Sequence, residues 1–173
     1  MRRRVLFLQT TAFITGMTIM GLEMLASRFL APFFGTSTYV WATIIGMAMI
    51  ALSIGYLLGG RWADRNPRAS GLYRVILAAA CLTFIIPLGR IISMIGHEGA
   101  LSLSWTTFIF GLFGSLALFF LPMMLLATAS PYLIRLVART VGTVGSISGN
   151  IYSISTIGSI AGGKGFKAKD MRT

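Results

Sequence analysis

Apolar residues along this chain are gathered into runs of about twenty, separated by short polar or Gly/Pro-containing gaps. A run of that length, wound as an α-helix, matches the roughly 30 Å hydrocarbon layer of a bilayer. The pattern predicts five hydrophobic helices, at Val5–Ala26, Tyr39–Gly59, Leu72–Ile95, Trp105–Thr128 and Val144–Gly163. The linker Ser27–Ser37, with Pro32, Gly35 and the paired Phe33 and Phe34, reads as a loop or interfacial segment. Gly60–Arg68 reads as a basic, Pro-containing turn. Ser130–Pro131 reads as a helix start, with Ser as N-cap and Pro at the first helical position, opening a short interfacial helix over Tyr132–Arg139. In the last and weakest run, Ile147, Ile151, Ile154, Ile157 and Ile160 recur every three or four residues and predict one apolar stripe. The expected fold class is all-α, an integral membrane helical bundle spanning residues 1–163, with residues 164–173 as a basic tail.

Composition sharpens this picture. Only 11% of residues are charged, against about 25% in soluble domains, so no sizeable soluble domain is hidden in the chain. The formal charge of +11 comes from fifteen Lys/Arg against four Asp/Glu. In a soluble protein that excess would point to nucleic acid. Here the basic residues fall between apolar runs, where they set orientation and meet lipid headgroups, so the expected partner is the bilayer and not nucleic acid. With the N-terminus in the cytoplasm, the inside holds Arg2, Arg3, Arg4, Arg61, Arg65, Arg68, Arg74, Arg135 and Arg139, and the outside Arg28 and Arg90. The expectation is a multi-pass protein of the cell (inner) membrane. Met1–Leu8 is signal-like, but its apolar stretch continues with no small-residue cleavage site, so it reads as an uncleaved first helix. Lys164, Lys167, Lys169 and Arg172 break the charge pattern if the fifth helix crosses. Either that helix does not fully cross, or the composition shift after Gly163 is the mark of a truncation or frameshift.

Candidate chemistry is sparse. One His and one Cys rule out Ser/His/Asp and Cys/His catalytic sets and any intrachain disulfide, and no Gly-rich nucleotide loop is present. No catalytic residue, metal site or cofactor is expected within the chain. Cys81 reads as a small packing residue, and His97 with Glu98 as a solvated turn. Small residues at helix-packing spacing, Gly55/Gly59, Gly111/Ser115 and Gly158/Gly162, predict close helix contacts. Tyr39, Trp41, Trp62, Tyr73 and Trp105 sit near run ends, as interfacial aromatics do. Glu23 is the one acid inside an apolar run, roughly 27 Å from Val5 along the helix axis. It reads in two ways: an interfacial carboxylate, hydrated or paired with Arg28 or Arg90, or a cation or proton site in the outer half of the bundle. The Gly60-x-x-x-Asp64-Arg65-x-x-Arg68 cluster also reads in two ways. It is a stop-transfer turn that fixes topology, or a charge latch that locks one bundle arrangement and releases it in another.

Four stretches, spread over roughly Phe13 to Gly163, resemble a known family. Gly21–Ser37 with Tyr39-Val40-Trp41, and Gly55–Arg65 followed by Pro67, are similar to the membrane domain of fused major-facilitator/spermidine-synthase proteins. Ser130-Pro131 with Arg135, and Gly145 through Gly162, continue the resemblance. It implies a major-facilitator-like membrane module placed ahead of an aminopropyltransferase domain, which would join an aminopropyl group to putrescine. This chain carries no such domain. Gly60–Arg68 also resembles the loop between the second and third helices of major-facilitator transporters, but has Pro67 where Gly is usual. Taken with the residues above, the functional expectation is a module binding or transporting a polyamine-like cation, with Glu23, Arg28 and Arg90 around the substrate and Gly60, Asp64, Arg65 and Arg68 as the cytoplasmic gate. The competing expectations are a membrane anchor for a separately encoded aminopropyltransferase, with or without self-association, and a non-functional fragment of a longer fused protein.

Overall fold

The computed structural model describes residues 2–34, 38–96, 118–138 and 143–170, with side-chain packing described over 6–31, 38–86, 118–138 and 143–164. His97, Glu98, Trp105, Gly111, Ser115, Arg139 and Arg172, and the side chains of Arg90, Lys167 and Lys169, lie outside these residues. Among the described residues the chain is all-α, with no strand. The helices are α1 (Arg2–Phe34), α2 (Thr38–Arg65), α3 (Ala69–Gly96), α4 (residues 118–127), α5 (Ala129–Val137) and α6 (Val144–Asp170). Four stretches are long and apolar enough to cross a bilayer: Leu6–Ala31, Thr38–Arg65, Ala69–Ile86 and the joined α4–α5 unit Leu118–Val137. The chain is a multi-pass membrane protein.

Hydrocarbon offers backbone and hydroxyl groups no water, so helices must satisfy them internally. Hydroxyls here do so by donating to a carbonyl three or four residues back: Thr18 to Ile14, Thr43 to Tyr39, Ser53 to Met49 and Thr83 to Ala79, each at 2.8 Å. The same constraint extends α1 beyond Ala26. The expected loop over Ser27–Phe34 is helical instead, because Phe29 and Leu30 are buried in the core and Phe29 meets Phe119 edge-on at 5.7 Å. Pro32 falls in the last turn of α1 and costs that turn one helical hydrogen bond.

The core has two layers. One joins Leu22, Ala26, Phe29 and Leu30 of α1 to Ile44, Met47, Ala48 and Ala51 of α2, Ala79 and Ile86 of α3, and Phe119, Met123 and Leu126 of α4. The other joins Ala12, Ala63, Leu72, Ala129, Tyr132, Leu133 and Ile151. The second layer takes the early part of α1, α3 and α6 and the late part of α2 and α5; the first takes the reverse for α1 to α4. Successive rods therefore alternate in direction, and Arg61, Arg65, Arg68, Arg74 and Arg135 all collect at one end, the basic end.

Small residues set the closest crossings. A Cβ at Gly55 would overlap the Met124 carbonyl, and one at Gly59 would lie 2.5 Å from the Thr128 carbonyl, so α2 runs parallel to and against α4–α5. A Cβ at Gly158 would overlap the Phe13 carbonyl, and one at Gly162 would lie 2.5 Å from that of Met17. Gly16 is equally closed against Ser155, and Ser159 Oγ donates to Gly16 O at 3.1 Å. Among the described residues the α1–α6 contact is the most extensive, and it is also parallel.

Four further expectations are corrected. Ser130 is not an N-cap: α5 begins at Ala129 with Thr128 in the cap position, and Thr128 Oγ1 donates to Leu125 O at 2.7 Å. α4 and α5 thus form one rod with a break at Thr128, where Pro131 leaves a carbonyl without its N–H. Nor is α5 interfacial, since Tyr132 and Leu133 are core residues. The isoleucine stripe of α6 splits. Ile147, Ile151 and Ile154 pack on the basic-end core, but Ile157 and Ile160 are 58% and 56% exposed, because the spacing drifts around the helix and Gly158 and Gly162 take the face toward α1. Cys81 is exposed on α3 and not a packing residue. The helix of α6 also runs on through the change in composition at Gly163 to Asp170.

Candidate functional site

The Gly60–Arg68 cluster is mostly helix. α2 continues through Arg65, and only Asn66, Pro67 and Arg68 form the connection to α3. Asn66 N–H donates to Trp62 O at 3.0 Å, Arg68 N–H to Asn66 O at 2.7 Å, and Gly71 N–H to Arg68 O at 3.0 Å, which closes a tight turn. Asp64 therefore sits in the last turn of α2, not past the helix end as its spacing implied. Its partner is neither Arg65 nor Arg68 but Arg135, whose Nε donates to Asp64 Oδ1 at 3.0 Å. The side chains are 72% and 51% exposed, so this is a surface ion pair tying α2 to α5. Arg65 and Arg68 are exposed and make no ion pair among the described residues. Gly60 has nothing near it, and Gly59 is the residue that permits close packing.

Tyr132 organises this end, a role that a single tyrosine in an aliphatic helix does not reveal by pattern. Its ring is buried, with Oη 2.5 Å from Asn66 O and 3.2 Å from Arg68 O, and its proton donates to the nearer. A Cβ at Gly71 would strike that hydroxyl. One side chain from α5 thus donates to the Asn66 carbonyl and lies against that of Arg68, beside the Asp64–Arg135 pair.

Glu23 lies far from this cluster, in the opposite half of α1. It follows Met20 by three residues, and Met20 faces Gly163 of α6. It precedes Ala26 by three, and Ala26 is fully buried in the core. Glu23 is therefore on the flank between the core and the α1–α6 seam. It is half-buried and makes no hydrogen bond or ion pair among the described residues. Arg28 is exposed further along α1, and Arg90 lies on α3, one turn beyond the buried Ile86. The structure thus gathers Asp64 with Arg135 and Tyr132, and keeps Glu23 apart from them. No cluster of three His, Cys, Asp or Glu able to hold a metal occurs among the described residues. Comparison with known proteins finds no matching family model, no matching curated sequence and no matching solved structure.

Proposed function

We propose that this bundle is a membrane module that binds an organic cation of the polyamine class, with Glu23 as the counter-charge. The observation that carries the reading is Glu23 itself, a half-buried carboxylate inside the span Leu6–Ala31 with no partner among the described residues. A carboxylate in such a place needs a cation or a proton. The choice of a polyamine rests on the resemblance of Gly21–Ser37 to the fused synthase family. Asp64 with Arg135, beside Arg65 and Arg68, is the latch at the far end, a surface pair weak enough to open and close. The N-terminus lies in the cytoplasm, because the basic end carries the arginine excess.

The test is spermidine binding to purified protein in lipid nanodiscs, by isothermal titration. Saturable binding that Glu23→Gln abolishes supports the reading. Binding unchanged in the variant, or absent from the parent protein, overturns it.

A further inference from the structure

The basic end carries more positive charge than its own side chains neutralise. Asp64 is the one acid there among the described residues, and Arg135 already engages it. Arg61, Arg65, Arg68 and Arg74 are exposed and make no ion pair among the described residues. Arg61 and Arg65 stand one turn apart on α2, which brings their Cβ atoms to about 5–6 Å. The stripe that leads up to them is apolar and bare: Ile50 and Leu57 are 58% and 62% exposed, with Ile54 between them. Ile50, Ile54, Leu57 and Arg61 follow one another by four, three and four residues, so they lie on one helix face. Trp62 and Tyr73, at the same end, are partly exposed, as aromatics at headgroup level are.

An apolar track that ends in paired guanidinium groups is complementary to one kind of molecule, an amphiphile with an anionic phosphate head. We infer that Arg61 and Arg65 hold the phosphate of an anionic phospholipid, whose acyl chain lies along Ile50, Ile54 and Leu57. Arginine suits this role because its planar fork matches phosphate oxygens two at a time. The site is remote from Glu23 and independent of any cation bound there.

The test is native mass spectrometry of the purified full chain, titrated with phosphatidylglycerol and, separately, with phosphatidylcholine. The expected result is a preference for phosphatidylglycerol that falls about five-fold in Arg61→Gln or Arg65→Gln and about twenty-five-fold in the double variant, since each surface arginine attracts anionic lipid by about 1 kcal/mol. Leu57→Ser weakens the same adduct while the arginines remain. All these positions are exposed, so the variants keep the fold, and retained thermal stability checks it. A preference unchanged in the double variant, or lost instead in Arg68→Gln/Arg74→Gln, overturns the assignment. So does displacement of phosphatidylglycerol by equimolar inorganic phosphate, which marks a soluble-anion site with no use for the apolar track.

Discussion

Asp64 and Arg135 are 71 positions apart in sequence and meet at 3.0 Å, joining the last turn of α2 to the end of α5. Both are largely exposed, so Coulomb attraction is screened and the pair contributes little to stability. A double-mutant cycle with Asp64→Asn and Arg135→Gln should give a coupling of about 0.2–1 kcal/mol that shrinks with added salt. A coupling well above that range, measured by thermal unfolding in detergent, would mean the pair is more shielded than its geometry shows.

Tyr132 is the stronger fastening at the same end. Tyr132→Phe keeps the ring in the core but leaves the Asn66 carbonyl without its donor. The expected loss is about 1 kcal/mol, the net value of a typical hydrogen bond. Proteolysis of the Asn66–Arg68 connection should rise in parallel, and an unchanged cleavage rate would show that the hydroxyl does not hold it.

The glycines of α6 should divide into two classes. Gly158→Ala and Gly162→Ala place a methyl against the backbone of α1, which cannot yield as a flexible side chain would. Each should separate α1 from α6 and lower the efficiency of a disulfide engineered between them. Gly145→Ala and Gly149→Ala have open space around them. They should be neutral or stabilise by up to about 1 kcal/mol, the helix preference of Ala over Gly. Equal effects at all four positions would contradict the observed face.

Cys81 faces outward from the middle of a span. A thiol facing hydrocarbon stays protonated and unreactive, so neither a membrane-permeant nor a charged maleimide should label it in intact membranes, and both should once the protein is denatured. Rapid labelling by the charged reagent would place water beside α3.

The architecture was legible because lipid imposes so plain a rule: unbroken apolar runs of one length become spans. The same rule explains the misplaced boundaries. Pro67 does mark the break between α2 and α3, but α1 runs past Pro32 and α5 contains Pro131, because burial of Phe29 and Tyr132 outweighs one missing N–H. Gly55, Gly59, Gly158 and Gly162 were readable as packing residues from spacing, but which helix each would meet was not, since spacing carries no partner. Glu23 stood out as the sole acid in a span. The partner of Asp64 did not, because nothing local links positions 64 and 135. Tyr132 was invisible for the same reason: its acceptors are backbone carbonyls, which every residue has.

The seam between α1 and α6 also bears on how the protein is made. Ser159 reaches Gly16 across 143 positions of sequence. At translation rates of about 5–20 residues per second, the first helix waits on the order of ten seconds before its most extensive neighbour leaves the ribosome. Throughout that interval the carbonyls of Phe13, Gly16 and Met17 face lipid or the insertion machinery, and whatever shields them then must give way to a strip of glycine and serine. α1 is thus made long before α6 but finished only with it.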